Sequence, residues 1–140
     1  MKIIKPKKSL GQNFLVDSNI LDTIVDSVNI NENDTILEVG PGTGNLTEKI
    51  ISKKPKKLIV VEKDNNLSIK LKEKFKDKII IINKDILKID EKLFSTEPMI
   101  VFGNLPYNIS TQIFVKWIRF DNLNKIFKKF ILMFQKEVAE

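Results

Sequence analysis

Apolar residues in this chain come in blocks. Five short runs are almost continuously apolar: Thr35–Val39, Leu58–Glu62, Ile79–Ile82, Met99–Phe102 and Phe130–Phe134. Runs this short, rich in β-branched and aromatic residues, predict strands buried on both faces, as in a parallel sheet. Between them the apolar residues recur at helical spacing. Ile20, Leu21, Ile24, Val25 and Val28 form one stripe, and Leu46, Ile50 and Ile51 a second. Leu67, Leu71 and Phe75 form a third, and Ile113, Phe114, Trp117 and Ile118 a fourth, with Trp117 and its neighbours read as core. Strand and helix alternate, so the expected class is α/β with a mostly parallel sheet. Asp17 is placed to cap the first helix, and Asn45 or Thr43 the second.

Composition then narrows the chemistry. The chain has 140 residues, 42% of them hydrophobic, which suits one domain with its own core. It lacks the ~18-residue apolar stretch of a membrane span, and the basic start MKIIKPKKSLGQNF has no secretory apolar core. There is no Cys and no His. Disulfides, His–Cys zinc sites, Ser-His-Asp triads and a His general base are therefore excluded, and an intracellular location is expected. The net charge of +6 fits a nucleic-acid partner. Arg119 is the only Arg, however, and the chain is crowded with Ile and Asn, so the Lys excess is in part background. Lys2, Lys5, Lys7 and Lys8 read equally as an RNA-backbone contact and as a solvated arm.

The first predicted strand runs into Glu38-Val39-Gly40-Pro41-Gly42-Thr43-Gly44 and then a helix. Glycines at such a turn let the backbone approach a ligand closely. The spacing is G-x-G-x-G, one residue short of the dinucleotide fingerprint, and no Lys-Ser/Thr follows as in a P-loop. Three acids, Glu38, Glu62 and Asp85, sit at or just beyond the ends of successive strands, which line one crevice in a parallel sheet. Several carboxylates suit a pyrophosphate poorly. They suit a ligand with an ammonium, a sulfonium, ribose hydroxyls and an adenine amine, and S-adenosylmethionine carries all four. Glu62 lies 22 residues after Gly40, close to the spacing of a carboxylate that holds a ribose diol. Asp85 can accept from the adenine amine. After the fourth strand, Gly103-Asn104-Leu105-Pro106-Tyr107 has the composition of a turn.

Six segments in order, KSLGQNFL (Lys8–Leu15), EVGPGTG, VVEKD, KDIL, NLPYNIST and QKEVAE, closely resemble the ribosomal RNA adenine N6,N6-dimethyltransferase family. The resemblance runs from Lys8 to Glu140; large-subunit resistance enzymes share the Q-N-F and N-x-P-Y elements, but the fuller KSLGQNFL start and the QKEVAE ending favour the small-subunit group. It implies a Rossmann-like S-adenosylmethionine-dependent methyltransferase fold and dimethylation of two adjacent adenosines near the 3′ end of small-subunit rRNA, in the pre-ribosomal particle. It also implies a cytoplasmic monomer without metal or membrane. By the same resemblance Asn13 and Leu15 contact the methionine part of the cofactor, Gly40 lies beneath it, Glu62 holds the ribose, Asp85 binds the adenine and Asn104 faces the reactive end. The Asn104 and Leu105 carbonyls are expected to accept the target N6–H bonds, Pro106 to hold them outward and Tyr107 to stack on the base. Family members carry further strands and a helical C-terminal domain. Residues 1–140 are expected to be the N-terminal part of the catalytic domain, truncated after the fifth strand. Two rivals are a non-catalytic RNA-binding or assembly factor of the same fold and a nicotinamide-dependent oxidoreductase.

Overall fold

The computed structural model describes residues 17–133, with only the backbone of Tyr107, and the backbone of two short strands, β1 (Ile3–Ile4) and β2 (Phe14–Leu15), paired antiparallel. Asn13, the N-terminal lysines, Phe134 and the QKEVAE segment lie outside the described residues, as do the side chains of Leu15 and Tyr107.

The remaining strands are β3 (Thr35–Val39), β4 (Lys57–Val61), β5 (Ile80–Ile82), β6 (Met99–Asn104) and β7 (Phe127–Met133). They form one five-stranded sheet in the order β5-β4-β3-β6-β7, parallel throughout. The helices are α1 (Ser18–Asp26), α2 (Asn45–Ser52), α3 (Asn65–Phe75), α4 (Tyr107–Ile118) and the short α5 (Leu123–Ile126). The expected α/β class and all five strands are observed. β6 runs two residues further than the apolar run, and β7 begins three earlier, at Phe127.

Every residue of β3 is buried, which is why it reads as an unbroken run instead of an alternating one. Alternate side chains enter two separate cores. Ile36, Val60, Ile100 and Phe102 meet Leu21, Val25, Leu46, Ile50, Leu71 and Phe75 from α1, α2 and α3. On the other face Leu37, Val39, Val61 and Val101 meet Ile113 and Trp117 of α4 and Ile86. Trp117 is 1% exposed and packs against Phe127, 4.9 Å between ring centroids with the rings tilted by 48°, so it is core as expected.

Two local expectations fail. Asp17 does cap α1, accepting from the Asn19 and Ile20 amides at 2.9 and 3.3 Å. Neither Asn45 nor Thr43 caps α2; its N-cap is Gly44, in a left-handed conformation with φ 91°. A Cβ there would lie 2.7 Å from Phe75 Cε2, so α3 leaves room for hydrogen only. On α4, Ile113 and Trp117 are buried, but Phe114 and Ile118 are 49% and 57% exposed. Adjacent residues on a helix sit about 100° apart, and only one of the two ridges faces the sheet.

Among the described residues no helix is long and apolar enough to cross a membrane. No cluster of His, Cys, Asp and Glu among them is arranged to hold a metal ion.

Candidate cofactor and target-base site

The chain winds outward from β3 in both directions, through β4 to β5 on one side and through β6 to β7 on the other. The strand order therefore reverses between β3 and β6, and the crevice at that point, beyond the strand ends, is where α/β sheets bind ligands. Val39 pairs with Val61 on one side and with Gly103 on the other. The next residue, Gly40, is thereby set between Glu62 and Asn104. Its N–H donates to the Val61 carbonyl at 3.1 Å. Its φ is +70°, and a Cβ built there would lie 2.5 Å from Leu105 Cδ2 and 3.0 Å from the Asn104 carbonyl oxygen. The glycine turn and the Asn-Leu-Pro-Tyr segment are in contact, and only a glycine fits between them.

Glu62 is 6% exposed just past the end of β4. Its N–H continues the ladder to the Ile82 carbonyl at 3.0 Å. The Asp64 amide donates to its Oε2 at 2.9 Å, and the Gly42 and Lys63 amides also bond to it. Glu62 thus bridges the glycine turn and the start of α3. Burial holds its carboxyl above the ordinary carboxylate range, against those amides.

Glu38 lies on the same sheet face, 2% exposed, and accepts from Thr47 Oγ1 of α2 at 2.5 Å. Burial pushes it up to about 7; the Thr47 bond pulls it down and the Glu62 charge adds to the rise. Sequence reading placed Glu38 among the crevice acids but missed Thr47, whose signal was a hydroxyl in the first turn of the helix that follows the glycines. The sign of the pH effect follows. The folded protein keeps a proton on Glu38 above pH 4.5 that the unfolded chain releases, so this group's stabilising contribution falls as pH rises from 4.5 to about 7. At about 1.4 kcal/mol per unit this amounts to about 3 kcal/mol. Burial raises Glu62 and Glu91 as well. The expected result is therefore a difference: Glu38→Gln, which carries no titrating proton, gains stability relative to the parent between pH 5 and pH 7. Urea unfolding of both at the two pH values measures it, and a constant difference contradicts the assignment.

Asp85 follows β5. Its Oδ1 accepts from the Leu87 amide at 3.0 Å and caps the 3₁₀ turn Ile86–Lys88; its Oδ2 faces Lys63 Nζ at 3.7 Å. Asn83 ties the neighbouring turn down, donating to the Glu62 and Lys63 carbonyls at 2.9 and 3.2 Å. On the other side of the crevice Asn104 ends β6, its Oδ1 closed off from solvent. Pro106 is the N-cap of α4, with φ −55° and ψ 147°. The Leu105 carbonyl receives the Ser110 hydroxyl at 3.4 Å. Gly40, Glu62, Asn104 and Leu105 are thus brought together and Asp85 stands at the adjacent strand end.

A five-stranded parallel sheet of this order, with a glycine turn at the switch point and a carboxylate at the next strand end, defines a Rossmann-like fold, and the solved structures it matches include an rRNA methyltransferase and a dimethyladenosine transferase. A 23S rRNA methyltransferase, ErmE, superposes with a TM-score of 0.75 and 25% identity, over 91% of this chain and 50% of that one. A dimethyladenosine transferase from Plasmodium falciparum gives 0.74 and 32%, over 91% and 45%. The chain belongs to the ribosomal RNA adenine dimethylase family, whose model matches residues 3–140. A ribosomal RNA small subunit methyltransferase A from Pelagibacter ubique is 58% identical over 137 residues, covering 98% of this chain and 52% of the relative. The chain spans about half the length of the curated relatives it matches.

Proposed function

We propose that this chain is the N-terminal part of the catalytic domain of an S-adenosylmethionine-dependent enzyme. The enzyme would dimethylate N6 of two adjacent adenosines near the 3′ end of small-subunit rRNA, in the pre-ribosomal particle and in the cytoplasm. The observation that carries this reading is the contact of Gly40 with Leu105 and the Asn104 carbonyl. It joins a methyl-donor site to a target-base site with no residue between them. The 58% identity to a small-subunit enzyme supports that substrate over the large-subunit alternative.

The residues present fit the cofactor. Gly40 leaves a cradle that a Cβ would fill, and the donor set of Glu62, Asp85 and Glu38 is acidic without a fixed cation on the glycine turn. Glu62 would hold the ribose hydroxyls, using lone pairs beyond those committed to the Gly42, Lys63 and Asp64 amides. Asp85 Oδ2 would accept from the adenine amine. Asn13 and Leu15 would contact the methionine part. When bound, the cofactor supplies an activated methyl group, so the protein's task is position and electrostatics.

The target N6 is a poor nucleophile because its lone pair is delocalised into the ring. Asn104 Oδ1 and the Leu105 carbonyl would accept its two N–H bonds, favouring a pyramidal nitrogen with the lone pair aimed at the donor. A carbonyl has two lone pairs, so the Ser110 bond leaves Leu105 one for substrate. Pro106 contributes a fixed φ and no competing N–H, and Tyr107 would stack on the flipped base. No general base is required before attack, since the proton leaves only after the nitrogen has gained charge. The absence of His is therefore compatible with the chemistry.

Calorimetric titration with S-adenosylhomocysteine and, separately, NAD tests the cofactor half. The chain is expected to bind the first and not the second. Glu62→Ala should weaken S-adenosylhomocysteine by roughly 10–100-fold, the worth of hydrogen bonds to a charged acceptor. Unchanged affinity in that variant contradicts the ribose role.

A further inference from the structure

A polar cluster outside the crevice joins its two halves. Glu91 is fully buried, 0% exposed, in a second 3₁₀ turn, Glu91–Leu93, that follows the Ile86–Lys88 turn. Lys116, on the third turn of α4, spends its whole donor set on this segment. Its Nζ donates to the Ile86 carbonyl at 2.7 Å, to the Ile89 carbonyl at 2.5 Å and to Glu91 Oε1. An ammonium has three N–H donors, so each acceptor takes one. The neighbouring Trp117 donates its indole N–H to Glu91 Oε2 at 2.9 Å. Both carboxylate oxygens of Glu91 are therefore held by consecutive residues of α4. A buried ion pair of this kind adds little net stability over an apolar pair of the same volume, so its hold on two backbone carbonyls calls for another explanation.

That hold bears on Asp85. The Asp85 carboxylate is oriented by the Leu87 amide, inside the turn whose Ile86 carbonyl Lys116 grips. The Lys88 amide donates back to the Asp85 carbonyl at 2.9 Å, closing the turn. The same α4 begins at Tyr107, directly after Asn104-Leu105-Pro106. We infer that Lys116 and Glu91 are positioning residues for cofactor recognition: they fix the 86–91 segment to α4 so that Asp85 Oδ2 selects a purine bearing an exocyclic amine. This rests on the S-adenosylmethionine reading and adds to it a specificity device that lies outside the cofactor crevice.

The test compares S-adenosylhomocysteine with S-inosylhomocysteine, in which a carbonyl replaces the purine amine, by calorimetry on the full chain. The parent is expected to prefer the adenosyl ligand by at least about tenfold, since a hydrogen bond to a carboxylate is exchanged for an oxygen facing it. Lys116→Met alone would leave Glu91 buried without its cation, so the informative variant is the double Glu91→Gln, Lys116→Met. It removes both charges, fills the volume and keeps an acceptor for Trp117. The proposal requires that this variant melt cooperatively and still bind, with the preference between the two ligands lost. Retained preference overturns it. Loss of cooperative melting also overturns it, since the pair would then be needed for the fold itself. A parent that binds neither ligand refutes the cofactor reading, which this experiment separates from the positioning role.

Discussion

Replacing Asn104 with alanine in a full-length version of the protein is expected to lower methyl transfer by at least ~100-fold, the usual cost of removing one preorganised dipole from a reacting centre. S-adenosylhomocysteine affinity should be largely unchanged. Asn104 stands at the end of β6, across Gly40 from Glu62, and the proposed function assigns its side chain to the target half of the crevice and not to the ribose half. Its backbone is held in the ladder to β7, where it pairs with Met133. Alanine removes the side-chain acceptor and leaves that backbone pairing available. Radiolabelled methyl transfer measured beside calorimetry distinguishes the two effects, and undiminished transfer would refute the assignment.

Gly40→Ala is expected to act on both halves together. The left-handed φ of +70° costs a non-glycine residue about 1–2 kcal/mol. The new methyl would also overlap Leu105 Cδ2 at 2.5 Å and crowd the Asn104 carbonyl at 3.0 Å, a backbone atom that cannot swing aside. Overpacking of this kind adds about 1–3 kcal/mol. The variant should unfold at lower urea, bind S-adenosylhomocysteine more weakly and lose transfer beyond what the affinity explains, because Asn104 and Leu105 are displaced. Normal stability with normal affinity would mean that the glycine turn and the Asn-Leu-Pro-Tyr segment are not in contact.

Much of this arrangement was legible in the sequence because each level of the signal agreed with the next. β3 has no solvent face, so Thr35–Val39 could be read as a buried strand without periodicity. Asp17 before an apolar stripe could be read as a cap, and its two hydrogen bonds to the α1 amides are present. The strand-end acids could be grouped because a parallel sheet puts all its carboxyl ends on one side. What was not legible depended on tertiary packing. Which ridge of α4 faces inward is decided by the sheet, and the four apolar residues Ile113, Phe114, Trp117 and Ile118 do not reveal that two of them stay exposed. That α2 starts on Gly44 follows from α3 placing Leu71 and Phe75 against it. The Lys116 ammonium gave no signal at all. On a helix in a Lys-rich chain it reads as a solvated charge, and its partners Ile86, Ile89 and Glu91 lie 25 to 30 residues away.

Methyl transfer to two adjacent adenosines, as proposed for the full-length protein, is measured directly by mass spectrometry of rRNA. Immature small subunits lacking the modification, incubated with a full-length version of the protein and S-adenosylmethionine, should acquire N6,N6-dimethyladenosine at two neighbouring positions near the 3′ end of the small-subunit rRNA. The Asn104→Ala protein should leave both adenosines unmodified. Modification of large-subunit rRNA instead, or none with an enzyme that binds the cofactor, would contradict the claim.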